Sequence, residues 1–94
     1  MDKARRDILA ATVAHCGRGP QRDKAVEELS ELIRALARCD DPDNIAEEMA
    51  DVRIMLDQLD QLEIIFDNRE AVRIWELRKL RRLDKLVHAA DEVG

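Results

Sequence analysis

Apolar residues recur along this chain every three or four positions rather than every second one, the period of a helix covered on one side. Ile8, Leu9, Thr12, Val13 and Cys16 share a face of a first segment, which reads as helix over residues 2–16. Gly17-Arg18-Gly19-Pro20 breaks that pattern, and a second helix is expected to start between residues 20 and 23 and run to about 38. Its apolar stripe is Val26, Leu29, Ile33 and Leu36. Two signals compete for the start of the third helix: Asp41 with Pro42, and Asn44 with Glu47 as a capping box. Ile45, Met49, Val52, Leu56 and Leu59 carry that helix to about residue 66, and Asp67 with Glu70 opens a fourth that reaches about residue 90. Connections this short make successive helices antiparallel neighbours, so the pattern predicts one all-α domain, residues 1–94, built as a four-helix antiparallel bundle.

Composition sharpens the picture. Only Trp75 and Phe66 are aromatic, and the many Ala, Leu, Glu and Arg residues are those that lose least on entering a helix. A helical chain of 94 residues buries a modest core alone, which predicts completion by oligomerisation. The net charge of −5 argues against non-specific attraction to nucleic acid or an anionic membrane. With an anionic substrate, such a protein requires a cation between the two. No apolar run approaches the ~20 residues of a membrane span. The charged opening Met1-Asp2-Lys3-Ala4-Arg5-Arg6 does not read as a secretory signal, so a cytoplasmic setting is expected, with Cys16 and Cys39 as free thiols.

Two paired-carboxylate motifs carry the candidate chemistry, Glu28-Leu29-Ser30-Glu31 and Glu48-Met49-Ala50-Asp51. Residues three apart share a helix face, so each motif sets two carboxylates side by side. Glu48 falls within the apolar sector of the third helix and Asp51 at its edge, positions that are costly for a carboxylate unless it is paired or metal-bound. Glu28 borders the stripe of the second helix and Glu31 lies further round, so on spacing alone a solvated face is the leading reading for that motif. Four carboxylates brought together would repel one another, and a hard divalent cation such as Mg²⁺ removes that repulsion. Lys79 projects onto the apolar stripe of the fourth helix with Arg82 at its margin, as a snorkelling or core-paired lysine or as a phosphate contact. Zinc, di-iron, serine-nucleophile and phosphate-loop chemistries lack their spacings. The basic stretch Arg78, Lys79, Arg81, Arg82 and Lys85 reads as a salt-bridged face before it reads as a nucleic-acid contact.

Lys24-Ala25-Val26-Glu27-Glu28-Leu29-Ser30-Glu31-Leu32, followed by Glu47-Glu48-Met49-Ala50-Asp51-Val52, resembles the MazG-like nucleoside triphosphate pyrophosphohydrolases, whose signature is Glu-x-x-Glu, a short interval and Glu-x-x-Asp. Sixteen residues separate Glu31 from Glu48. Ile54-Met55-Leu56-Asp57-Gln58-Leu59 and Lys79-Leu80-Arg81-Arg82-Leu83 look like the small single-domain members of phages and bacteria. The resemblance implies the all-α fold of that superfamily, assembled as a homodimer or homotetramer, and hydrolysis of a nucleoside triphosphate to monophosphate and pyrophosphate with Mg²⁺, or Mn²⁺ in its place. It further implies Glu28, Glu31, Glu48 and Asp51 as metal ligands. Gln21, Lys24, Lys79 and Arg82 would be on the substrate, with Lys79 stabilising the reacting phosphates. Glu27 or Glu31 would orient or deprotonate the attacking water. The chain has fewer aromatic residues than such members usually offer a base. Outside the resemblance stand two rival readings, a non-catalytic helical interaction or nucleotide-binding module, and a small nucleic-acid-binding protein resting on the basic stretch.

Overall fold

The structure, a computed structural model, describes residues 2–61 and 69–93. Its elements are four helices, with no strand among the described residues: α1 (Lys3–Cys16), α2 (Arg18–Ala37), α3 (Pro42–Gln61) and α4 (Arg69–Val93). The expected N-cap Asp67 and the expected last turn of the third helix lie outside the described residues.

Local chemistry accounts for each boundary. Asp2 caps α1, its side chain accepting from the Arg5 N–H at 2.8 Å. Gly17 ends α1 at φ +90°, a conformation that strains a residue with a side chain, while its N–H donates to the Val13 carbonyl at 2.7 Å. α2 starts directly afterwards, earlier than the glycines and Pro20 suggested. Pro20 falls in the first turn, where its missing N–H would have had no helical partner. At the other end Cys39 takes a left-handed turn (φ +53°) and the Asp40 N–H reaches back to the Ala35 carbonyl at 3.1 Å, a Schellman closure. Asp41 then caps α3 by accepting from the Asn44 N–H at 2.9 Å, with Pro42 as first residue. The Asp41–Pro42 signal therefore wins over the Asn44 capping box. Asn44 instead donates from its side chain to Asp40.

α2 and α3 pack along their length as an antiparallel pair, α1 touches both, and α4 meets only α3. An ion pair between Arg5 and Asp57 (2.8 Å) and the buried Leu9 fix α1 to the pair. The seam between α2 and α3 overturns one expectation. Val26, Leu29, Ile33 and Leu36, read as the core-facing stripe of α2, point outwards, Ile33 being 67% exposed. The face turned to α3 carries Gln21, Ala25, Glu28 and Ala35. Ala25 and Ala35, each 3% exposed, let the two backbones approach, and Val52, Met55 and Gln58 of α3 fill the opposite side. A helix with a wide apolar face and a narrow small-residue face can bury only one of them against a single neighbour, and here it is the second.

A similar correction applies to α4. The sequence put Lys79 on a covered stripe, yet every residue of α4 whose burial is described is exposed, Lys79 included. The radius of gyration is 16.7 Å, against ~13 Å for a compact chain of about this length. That excess reflects α4, whose Trp75, Leu83 and Leu86 are 49%, 58% and 68% exposed. No helix is long and apolar enough to cross a membrane among the described residues.

Candidate functional site

The buried face of α2 and the inward face of α3 bring three carboxylates together. One oxygen from each of Glu28, Glu48 and Asp51 lies within 4.8 Å of the others. Their spacing follows from the antiparallel register: Glu28 sits across from Asp51, and one helical turn further along Glu31 sits beside Glu48. The sequence left Glu28 open to a solvated reading. The structure buries it, with the whole residue 7% exposed.

Lys24, one turn before Glu28 on α2, holds Glu28 Oε1 at 2.9 Å and reaches towards Glu27 at 3.7 Å. That leaves Glu28 Oε2 buried without a hydrogen-bond partner, and Glu48 Oε2 is in the same condition. Buried polar atoms are almost always satisfied, so two orphan carboxylate oxygens beside one another ask for a ligand. The electrostatics agree. Burial pushes the Glu48 carboxyl above its usual range, helped by Glu31, Asp51 and Glu28. Burial also raises Asp51, with Glu28 adding to the rise and Lys24 opposing it. Glu48 with Glu31, and Asp51 with Glu28, lie close enough that a shared proton would also favour the raised values, in the place where a cation would otherwise serve. Oxygen-only donors in this number suit a hard divalent cation.

The remaining residues singled out by sequence fall into three groups. Glu31 stands at the rim, half-buried and close enough to perturb Glu48 without joining the three-oxygen group. Glu27 faces solvent beside Lys24, and Gln21 is buried in the first turn of α2 with Oε1 unpartnered. Lys79 and Arg82 lie apart, lining a shallow cleft on α4 with Leu83 and Leu86. Within one chain neither cation enters an ion pair or side-chain hydrogen bond with a described residue, so a core pairing of Lys79 with Glu48 is absent among the described residues. The salt-bridged reading of the basic stretch also fails. None of its five residues pairs with a described carboxylate, while elsewhere on α4 Arg73 pairs with Glu70 and His88 Nδ1 lies 3.0 Å from Asp84. Arg78 lies 5.1 Å from the centre of the Trp75 ring instead.

Sequence reasoning passed over Arg34 and Arg38. They follow Glu31 by three and seven positions, the helical spacing that sets them on its face, and they line a cleft with Glu31, Ala35, Asp40, Asn44 and Glu48. Gln58, 2% exposed with Oε1 unpartnered, was passed over too, because a glutamine between leucines reads as an edge position.

Compared with protein-family models, with curated proteins and with solved structures, the chain matches none. What the site can do follows from its own residues.

Proposed function

We propose that this protein is a divalent-cation-dependent hydrolase of nucleoside triphosphates, releasing the monophosphate and pyrophosphate, and that Mg²⁺ is its cation, with Mn²⁺ able to replace it. The observation that carries the reading is the group of three carboxylates on α2 and α3, two of them with a buried oxygen lacking any partner. The ordered Glu-x-x-Glu and Glu-x-x-Asp motifs, and their resemblance to MazG-like enzymes, supply the substrate class.

In this reading Glu28, Glu48 and Asp51 hold the cation, and Lys24 keeps Glu28 turned towards it. When bound, the cation neutralises charge on the phosphate oxygens and makes the phosphorus easier to attack. Glu31, at the rim and beside Glu48, is better placed than solvent-facing Glu27 to orient a water and take its proton. The water's oxygen bonds to the α-phosphorus, the bond to the bridging oxygen breaks, and pyrophosphate leaves with that electron pair. A homo-oligomer belongs to the same proposal. The outward stripe of α2 and the apolar face of α4 are surfaces that a second copy would cover, and α4 of that copy is the route by which Lys79 and Arg82 could meet phosphates.

The test is a panel of ribo- and deoxyribonucleoside triphosphates with Mg²⁺, scoring pyrophosphate separately from phosphate. Pyrophosphate release that stops in chelator supports the proposal. Nucleotide binding that requires Mg²⁺ but gives no turnover assigns the chain to a non-catalytic nucleotide-binding module. Salt-dependent DNA binding without either result assigns it to the nucleic-acid reading.

A further inference from the structure

We propose that Arg34 and Arg38 form an anion-binding arm on α2, holding the terminal phosphates of a polyphosphate ligand beside the carboxylate group. The inference rests on the reading that Glu28, Glu48 and Asp51 hold a divalent cation.

The cleft at the α2–α3 turn has a volume of about 330 Å³, near the lower end of the ~300–1,000 Å³ usual for small-molecule sites. Its lining carries both signs of charge. Glu31 and Glu48 adjoin the carboxylate group, and Arg34 and Arg38 follow Glu31 one and two turns further along α2. Ala35 lies between the two arginines in sequence and is buried against α3, so its methyl group leaves the space a longer side chain would fill.

Two guanidinium groups in an acidic cleft would ordinarily pair with the carboxylates around them. Here neither enters an ion pair or a side-chain hydrogen bond with a described residue, although Glu31, Asp40 and Glu48 line the same space. Asp40 is turned to Asn44 instead, at 2.9 Å. Two free guanidinium groups one turn apart match the oxygens of adjacent phosphates, since each planar fork can take two of them. The combination orders the ligand: the phosphate nearest the carboxylates is bridged by the cation, and the chain beyond it runs along α2 onto the arginines. A polyphosphate tail fits this layout better than a single carboxylate or sulfate, because only an extended anion spans from the carboxylate group to both arginines. In contrast with Lys79 and Arg82, these cations need no second chain to reach the site.

Calorimetric titration of inorganic tripolyphosphate in the presence of Mg²⁺ tests the arm, alongside titration of Mg²⁺ alone. Arg34→Gln/Arg38→Gln should bind tripolyphosphate at least ~10-fold more weakly than the parent. It should bind Mg²⁺ alone as tightly or more tightly, since two positive charges have left the neighbourhood of the carboxylates. Arg34→Lys/Arg38→Lys keeps both charges without the planar forks and should fall between the two. Arg53→Gln removes one charge from the other side of α3, where Arg53 lines a cleft with Arg5, and should change nothing. Both arginines are exposed, so helicity by circular dichroism should be unaltered. Three results overturn the arm: tripolyphosphate binding that the glutamine pair leaves intact, an equal loss in Arg53→Gln, or a parent that binds Mg²⁺ but no tripolyphosphate. A parent that binds no Mg²⁺ overturns the carboxylate reading and the arm with it.

Discussion

α3 and α4 are comparably amphipathic helices rich in charge, and they end in opposite environments. α3 buries Val52, Met55 and Gln58 and places Glu48 and Asp51 in a partly desolvated seam. α4 buries nothing that is described, and its leucines, Trp75 and seven Lys and Arg residues all meet solvent. The difference lies in what each helix is offered. α3 is tied to α2 by a four-residue turn, and Ala25 and Ala35 let the pair close tightly. α4 follows later in the chain and finds the apolar stripe of α2 facing away from it. An apolar stripe shows that a helix needs cover and says nothing about which chain supplies it.

The largest effect should come from breaking the uncovered surfaces. The parent should be a dimer or larger at micromolar concentration, and Ile33→Asp/Leu36→Asp should weaken association by at least ~100-fold, since each side chain contributes ~1.5–3 kcal/mol when buried. Leu83→Asp/Leu86→Asp should do the same if α4 is covered by the other copy. Light scattering checks both, and a monomeric parent would remove the need for a second chain.

The seam should respond to pH in a way α4 does not. Glu48 and Asp51 both have folded-state pKa values raised above ordinary carboxylates. Such groups hold more protons folded than unfolded, so their contribution to stability falls as pH rises from about 4 through the raised values. The readout is the difference between proteins: in chelator, Glu48→Gln should gain on the parent as pH rises from 4 to 7. A difference that shrinks over that range would contradict the shifted site.

The smallest effect concerns Gln58, a fully covered amide in the same seam. Gln58→Met keeps its length and removes an unpartnered carbonyl, and should raise stability by ~1 kcal/mol. Denaturant unfolding resolves a change of that size, and a loss instead would mean that the amide has a partner in solution.

Much of this molecule was legible as sequence. Helix period, the breaks at Gly17 and Cys39, and the caps at Asp2 and Asp41 are local properties, and each acts within a few residues. The three carboxylates were legible too, because a spacing of three on a helix fixes a common face whatever the helix packs against. The rotation of α2 was not. Val26, Leu29, Ile33 and Leu36 satisfy every rule for a core stripe, and only the approach of α3 over Ala25 and Ala35 decides that they face out. The exposure of Lys79 was not legible either, since its setting depends on what packs against α4. Arg34 and Arg38 could have been found by extending the face of Glu31 one turn further.

The account rests on Glu48 being a metal ligand, and thermal melts of the parent and Glu48→Gln, each in chelator and in excess Mg²⁺, test that directly. No cation among the described residues pairs with Glu48, and the neighbours that raise its pKa, Glu31, Asp51 and Glu28, are all acidic. Removing its charge should therefore leave the metal-free protein as stable as the parent or more so. Mg²⁺ at ~100 times its dissociation constant should raise the parent's melting temperature by roughly 10–20 °C and the variant's far less. An equal Mg²⁺ shift in both proteins, or a variant that is less stable in chelator, would contradict the assignment.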